Sequence, residues 1–252
     1  MPRPVTVQID WRGCKLKIYT RPWKKSDDSV IREVLEQHVY ERHAIKLSNS
    51  DRWLDCGAHI GTFALAAACE GCHVEAFEPH PDNYQLLLKN IKRNGFESQI
   101  RPHEAALMAR PTQKTAELFL APHSTSSHSL TTPFRSKDAV SVKIVGIEAF
   151  LKKHPSINGI KIDVEGSEMP LLESLAKRKK LLSGINQIVF EWDFKHDEET
   201  ARLRQVISRL EAQGFEVRTT KQVYTEKVWK HWPSGVLVYA WRDNDSTDNS
   251  SD

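Results

Sequence analysis

The amino-acid sequence predicts an α/β fold, a mostly parallel sheet with helices on both faces. Three observations carry that expectation. From residue 51 onward, short apolar runs alternate with helix-length amphipathic segments, the rhythm of repeated βαβ units. Two of these runs end in an acidic residue at a turn, Leu54-Asp55-Cys56-Gly57 and Phe77-Glu78-Pro79, and parallel sheets bind ligands at such strand ends. The chain has 252 residues, 39% hydrophobic and 27% charged, which suits one large domain rather than a disordered chain. A chain of this size buries about 70–75% of its unfolded surface.

Residues 5–10 and 15–20 alternate in polarity around Trp11-Arg12-Gly13-Cys14 and read as a hairpin. Residues 27–47 read as mainly helical, with Ser26 or Asp27 as cap and Val30, Ile31, Val34, Leu35 and Val39 at helical spacing. Residues 1–50 thus form a hairpin-and-helix extension to a main domain at 51–242, and 243–252 is a polar tail. In that domain strands are expected at 53–56, 73–77 and 100–106, and helices at 60–69 and 82–94, the latter stopped by Gly95. Further strands at 116–120 and 140–145 flank a polar loop, 123–135. The series continues with a strand at 159–164, a helix at 167–180, a strand at 185–192 and a helix at 198–213. Two last strands, 215–219 and 235–241, have no clear helix between them, so they should pair antiparallel.

Charge and cysteine content exclude several classes. Lys and Arg number 36 against 33 Asp and Glu, a net charge of +3, and the pI of 8.6 falls below the value of about 9 typical of dedicated nucleic-acid domains. The most apolar stretch, residues 60–69, is far shorter than the ~18–20 residues of a membrane span. Residues 1–10 lack the apolar core of a signal peptide, and a cytoplasmic location is expected. Cys14, Cys56, Cys69 and Cys72 read as reduced thiols, and the lone Cys69-Glu70-Gly71-Cys72 lacks the second pair of a zinc site.

The chemistry-bearing residues fall in three blocks. In Asp55-Cys56-Gly57-Ala58-His59-Ile60-Gly61 a strand ends and two glycines turn the chain into a helix. The spacing is neither GxGxxG nor a P-loop, and Asp55 suits an ammonium group better than a pyrophosphate. Glu78, at the next strand end, can accept hydrogen bonds from both hydroxyls of a ribose. Third, Lys161, Asp163 and Glu165 alternate with Ile160, Ile162 and Val164. Three ionisable groups on one face of a central strand need partners or a cleft, whereas an edge strand would leave them merely solvated. Glu191 and Asp193 repeat the pattern at the following strand end.

Taken together, these blocks resemble the signatures of the FkbM-family methyltransferases, class I S-adenosylmethionine-dependent enzymes that methylate hydroxyl oxygens of sugars, polyketides and other natural products. The resemblance spans the chain from about Asp27 to Trp192, with His59 where the family usually has Asn and Cys56 where it often has Val or Ile. It implies a Rossmann-like class I methyltransferase fold with a seven-stranded, mostly parallel sheet. It implies too that Asp55, Gly57, Ala58, His59 and Gly61 face the methionine moiety of S-adenosylmethionine, that Glu78 with Pro79 holds the ribose, and that Glu104 and Ala105 lie beside the adenine. Ser126, Ser127 and Ser129 match a serine-containing stretch that closes over the site.

The acceptor is expected to be a small-molecule hydroxyl, on a sugar or glycan. Its proton must leave as the bond forms, and Asp163 or Glu165 is the candidate base, with Lys161 tuning it. A divalent cation, Mg²⁺ or Mn²⁺, held by Asp163, Glu165 and Glu191 would serve the same end. Two alternatives stand beside this reading. One is an RNA ribose or base methyltransferase using the basic run Lys177-Arg178-Lys179-Lys180 with Trp229, His231 and Trp232; the other is a non-catalytic S-adenosylmethionine-binding module.

Overall fold

The computed structural model describes residues 4–122, 124–131, 138–192, 197–220 and 236–243, with only the backbone described at 197–199. A hairpin opens the chain, β1 (Val5–Trp11) and β2 (Cys14–Thr20), turning at Arg12-Gly13. Helix α1 (Lys25–Ile31) follows and runs into a π-helical turn, Arg32–Glu36. The helix expected to reach residue 47 therefore ends early. His38 takes a left-handed φ of 52°, and the chain turns so that Tyr40, Ile45 and Leu47 enter the same apolar cluster as Ile31, Val34 and Leu35. Burial of those side chains outweighs helical continuity.

The main sheet has seven strands in the order β11-β12-β10-β9-β3-β4-β5. These are β3 (Arg52–Cys56), β4 (His73–Phe77), β5 (Ile100–His103), β9 (Gly159–Ile162), β10 (Gln187–Trp192), β11 (Glu216–Thr219) and β12 (Val236–Trp241). All neighbours are parallel except β12, which runs antiparallel between β10 and β11, as the missing helix implied. Helices α2 (Thr62–Cys69), α3 (Pro81–Asn94), α4 (Ile147–Lys153), α5 (Glu168–Ala176), α6 (Lys179–Leu182) and α7 (Asp197–Glu211) complete the fold.

Alternation along the strands builds one core on each face. Leu54, Cys56, Ile160, Ile162 and Phe190 join one cluster, and Trp53, Val74, Ala76, Val189 and Tyr239 the other. Three expectations change. The strand foreseen at 100–106 breaks at Glu104-Ala105, and β6 (Ala106–Met108) instead pairs with β8 (Ala139–Gly146), which also pairs with β7 (Thr115–Phe119), in a separate sheet of order β6-β8-β7. Helix α4 was not foreseen. The helix expected at 167–180 is split at Lys177-Arg178 into α5 and α6.

The extension is bound tightly to the domain. Backbone N–H groups of Lys17 and Tyr19 donate to the side-chain oxygens of Asn94 (2.9 Å) and Asn90 (2.6 Å) on α3. Cys14 at the hairpin turn is joined by a disulfide to Cys69 at the end of α2, which corrects the reading of four reduced thiols and removes Cys69 as a metal ligand. Cys56 and Cys72 are free and buried, and burial raises the thiol pKa of Cys72 to about 12. Among the described residues no helix is long and apolar enough to cross a membrane.

Candidate active site

A single cavity gathers the three blocks at the carboxyl ends of β3, β4 and β9. Its wall includes Gly57, Ala58 and His59 from the turn after β3, Glu78 and Pro79 after β4, and Lys161, Asp163 and Glu165 from β9 and the turn after it. Val30, Val34 and Tyr40 of the extension cover one side, and Thr125, Ser126 and His128 of the loop after β7 cover another. The cavity is narrow, with room for about 70 Å³.

Close packing dictates the glycine turn. Gly57 has a φ of 85°, and a Cβ there would collide with the carbonyl oxygen of Asp163. The glycine thus lets β3 and the end of β9 meet, as well as opening the backbone to the cavity. Gly61 (φ 95°) precedes α2 and is crowded by Leu87 rather than lining the cavity. His59 takes a φ of 51°, which points its backbone N–H at Glu78.

Glu78 is buried and held by neutral donors. Its Oε2 accepts the backbone N–H of His59 (2.8 Å), and its Oε1 accepts the backbone N–H of His80 (2.9 Å) and Asn83 Nδ2 (3.2 Å). Burial raises its pKa, partly offset by His59 and these hydrogen bonds. Two carboxylate oxygens offer about four acceptor positions, so lone-pair capacity remains for a ligand.

Around it lies a polar network that sequence reasoning missed. Asp27 accepts Arg21 Nε (3.0 Å) and Nη2 (2.9 Å), the backbone N–H of Arg21 (2.8 Å) and the Thr125 hydroxyl (2.9 Å). Arg21 also donates to Asn83 Oδ1 at 2.8 Å, and Asn83 Nδ2 donates to the Thr125 carbonyl at 2.8 Å. Burial opposes ionisation of Asp27, but hydrogen bonds and charge from His59 and Arg21 outweigh it and hold the carboxyl far below the usual range. The signal was present on α3, where Asn83, Asn90 and Asn94 share one face and Asn83 and Asn90 are buried.

The other end of the cavity is ionic. Lys161 is buried, with Nζ 3.1 Å from Asp55 Oδ1, 3.6 Å from Asp163 Oδ2 and 2.7 Å from the Gly57 carbonyl oxygen. Burial disfavours its charge, but Asp55 and Asp163 more than compensate and raise its pKa. The Tyr40 hydroxyl donates to Asp163 Oδ2 at 2.9 Å, so a residue of the extension holds this carboxylate. Strand β9 is central, which removes the edge-strand alternative. Asp55 differs from expectation: it is fully buried behind the wall, paired with Lys161, and does not line the cavity. Burial raises its carboxyl pKa despite that pairing.

Over residues 55–217 the sequence matches the family described as the methyltransferase FkbM domain, well over half of its length. The chain belongs to the FkbM methyltransferase family. One curated member, the 31-O-demethyl-FK506 methyltransferase FkbM of Streptomyces tacrolimicus, is 37% identical over 71 residues, 27% of each chain. The FkbM methyltransferase structure from Methylobacillus flagellatus aligns at 19% identity with a TM-score of 0.48, over 80% of this chain and 46% of that one. M. jannaschii TYW2 in complex with AdoMet aligns at 16% identity and TM-score 0.46, over 96% and 89% of the two chains. This chain therefore spans about a quarter of the curated relative it matches and under half of the Methylobacillus chain.

Within this FkbM domain most expected residues converge, with local departures. Ala105 lines the cavity, whereas Glu104 is exposed outside its wall. Ser126 lines it, while Ser127 and Ser129 do not. Glu165 reaches the wall from a left-handed turn (φ 53°) after β9 has ended, not from the strand face. The cation site considered for Asp163, Glu165 and Glu191 is not supported: among the described residues no three His, Cys, Asp or Glu are placed to hold a metal ion. Asp193, Trp229, His231, Trp232 and residues 244–252 lie outside the described residues.

Proposed function

We propose that this FkbM-family protein is an S-adenosylmethionine-dependent O-methyltransferase acting on a hydroxyl of a small molecule such as a sugar or another natural product. The observation that carries the reading is one cavity with two chemically distinct ends, Glu78 at one and Lys161, Asp163 and Glu165 at the other. The residues present fit the cofactor: Glu78 keeps acceptor capacity in the wall, and His59 Nδ1 is buried with no hydrogen-bond partner. When bound, S-adenosylmethionine supplies an electrophilic methyl group on a good leaving group.

In this reading Glu78 takes a ribose hydroxyl, and the turn at Gly57, Ala58 and His59 faces the methionine part. Ala105, with Phe77 and Leu107, offers an apolar berth for the adenine. Asp163 is the general base, withdrawing the acceptor's proton as the oxygen attacks. Tyr40 and Lys161 fix its Oδ2, leaving Oδ1 as the free acceptor, and Glu165 orients the hydroxyl. Binding a ligand of this size requires the narrow cavity to widen.

The test is methyl transfer from labelled S-adenosylmethionine to a panel of hydroxylated sugars and natural products. Asp163→Asn should lower turnover about 10²–10⁴-fold, the usual value of a general base. Chelator should leave the wild type unaffected. Full activity in Asp163→Asn would show the ion cluster to be structural.

A further inference from the structure

The basic run at residues 177–180 has no part in the proposed reaction. It lies beyond the start of β10, at the opposite ends of the strands from the active-site cavity. There it borders a second hollow of about 570 Å³, within the range of small-ligand sites. Among the described residues its rim carries Lys152, Lys177, Arg178, Lys179 and Lys180, and its accessible apolar wall is formed by Pro155 and Leu181, backed by the buried Leu151, Ile157 and Ile185. The single carboxylate on the rim, Glu148, is already engaged by Arg178 at 3.5 Å and Arg110 at 3.1 Å.

The positive charge of the chain is concentrated at this hollow. Five cations against one carboxylate give this hollow a net +4, while the whole chain carries +3. All remaining residues together are therefore net −1. The split of the expected helix into α5 and α6 produces this arrangement, because Lys177-Arg178 leave the helix and bring the run around the hollow.

We infer that this hollow is a second ligand site, distinct from the methyl-transfer cavity, for a compact polyanion carrying a short chain of phosphates with an apolar or aromatic ring, as in a nucleoside di- or triphosphate. The apolar wall takes the ring and the rim takes the phosphates. A long nucleic acid is disfavoured because the rest of the chain is close to neutral in net charge, without the basic stripe such ligands require.

Calorimetric titration of the full chain at 0.1 M salt tests the inference, with sodium tripolyphosphate, ATP and a single-stranded 12-nucleotide RNA as probes. ATP should bind more tightly than tripolyphosphate, and RNA no more tightly than ATP. The variant Lys177→Gln/Lys179→Gln/Lys180→Gln, altered only at exposed side chains, should weaken ATP binding at least tenfold while leaving S-adenosylmethionine binding unchanged. No binding of either phosphate probe overturns the inference, as does equal ATP affinity in the variant. RNA binding tighter than ATP, lost in the variant, would assign the hollow to nucleic acid instead. None of these outcomes depends on methyl transfer, so the two proposals fail separately.

Discussion

The carboxylates at the ends of β3 and β4 solve the same problem by opposite means. Glu78 and Asp55 are both buried carboxylates at neighbouring strand ends, and burial raises the pKa of both. Glu78 is satisfied by N–H groups of the turn, of His80 and of Asn83, all neutral, and keeps one acceptor position for a ligand. Asp55 is paired with the Lys161 cation, which in turn reaches Asp163. The lesson is that an acidic residue at a strand end is a ligand only where its own partners leave capacity. Where a buried cation absorbs it, the carboxylate positions that cation instead.

The largest effect is expected at the ionic end. Lys161→Met removes the cation and leaves Asp55 buried without its charge partner, which should cost about 3–5 kcal/mol of stability in chemical denaturation. A loss below about 1 kcal/mol would mean that Asp55 is not held by charge. The double change Asp55→Asn/Lys161→Met should recover much of the loss, because no buried charge then stands alone.

Next comes the covalent tie. The disulfide closes a loop over a sequence separation of 55 residues, and Cys14→Ser should lower stability by about 4 kcal/mol under non-reducing conditions. This change sharpens the comparison, because the hairpin carries Arg21 towards Asp27 and Asn83 beside Glu78. Loosening it should weaken S-adenosylmethionine binding through the Glu78 end. Equal melting of wild type with and without reductant would contradict the stabilising role.

The third effect is a pH dependence, felt only in acid. Burial and the nearby cationic groups push the His128 pKa down to about 3, and its Nδ1 accepts the backbone N–H of Ala121 at 3.0 Å. The unfolded chain takes up this proton as pH falls through about 6.5, whereas the native state stays neutral until far lower. Stability should therefore decline between about pH 6.5 and 3 and be insensitive to this group above 7. His128→Phe should flatten that decline relative to wild type, and parallel melting curves across this range would refute the assignment.

The sequence carried the fold well where periodicity and glycine agreed. Strand β4 and the Gly95 stop after α3 lie where the pattern put them, and the glycine turn, Glu78 and Lys161–Asp163 all meet in one cavity. Residues 27–47 misled because apolar side chains at helical spacing also suit a chain that turns at His38 and buries them one by one. Tyr40, Arg21 and Thr125 were invisible for a related reason. Each reaches the site from a segment with no motif, and only the fold brings Tyr40 to Asp163 across 123 residues. The disulfide was missed because four cysteines in a chain this long do not announce a framework.

The division of labour within the cavity is tested most directly by titrating S-adenosylmethionine into wild type, Glu78→Ala and Asp163→Asn. Wild type should bind one equivalent. Glu78→Ala should weaken binding by about 1.5–3 kcal/mol, roughly 10- to 150-fold, through loss of charge-assisted hydrogen bonds. Asp163→Asn should bind within about twofold of wild type, since the acceptor end adds little to cofactor affinity in this account. No binding to folded wild type, or a loss confined to Asp163→Asn, would contradict the assignment of the two ends.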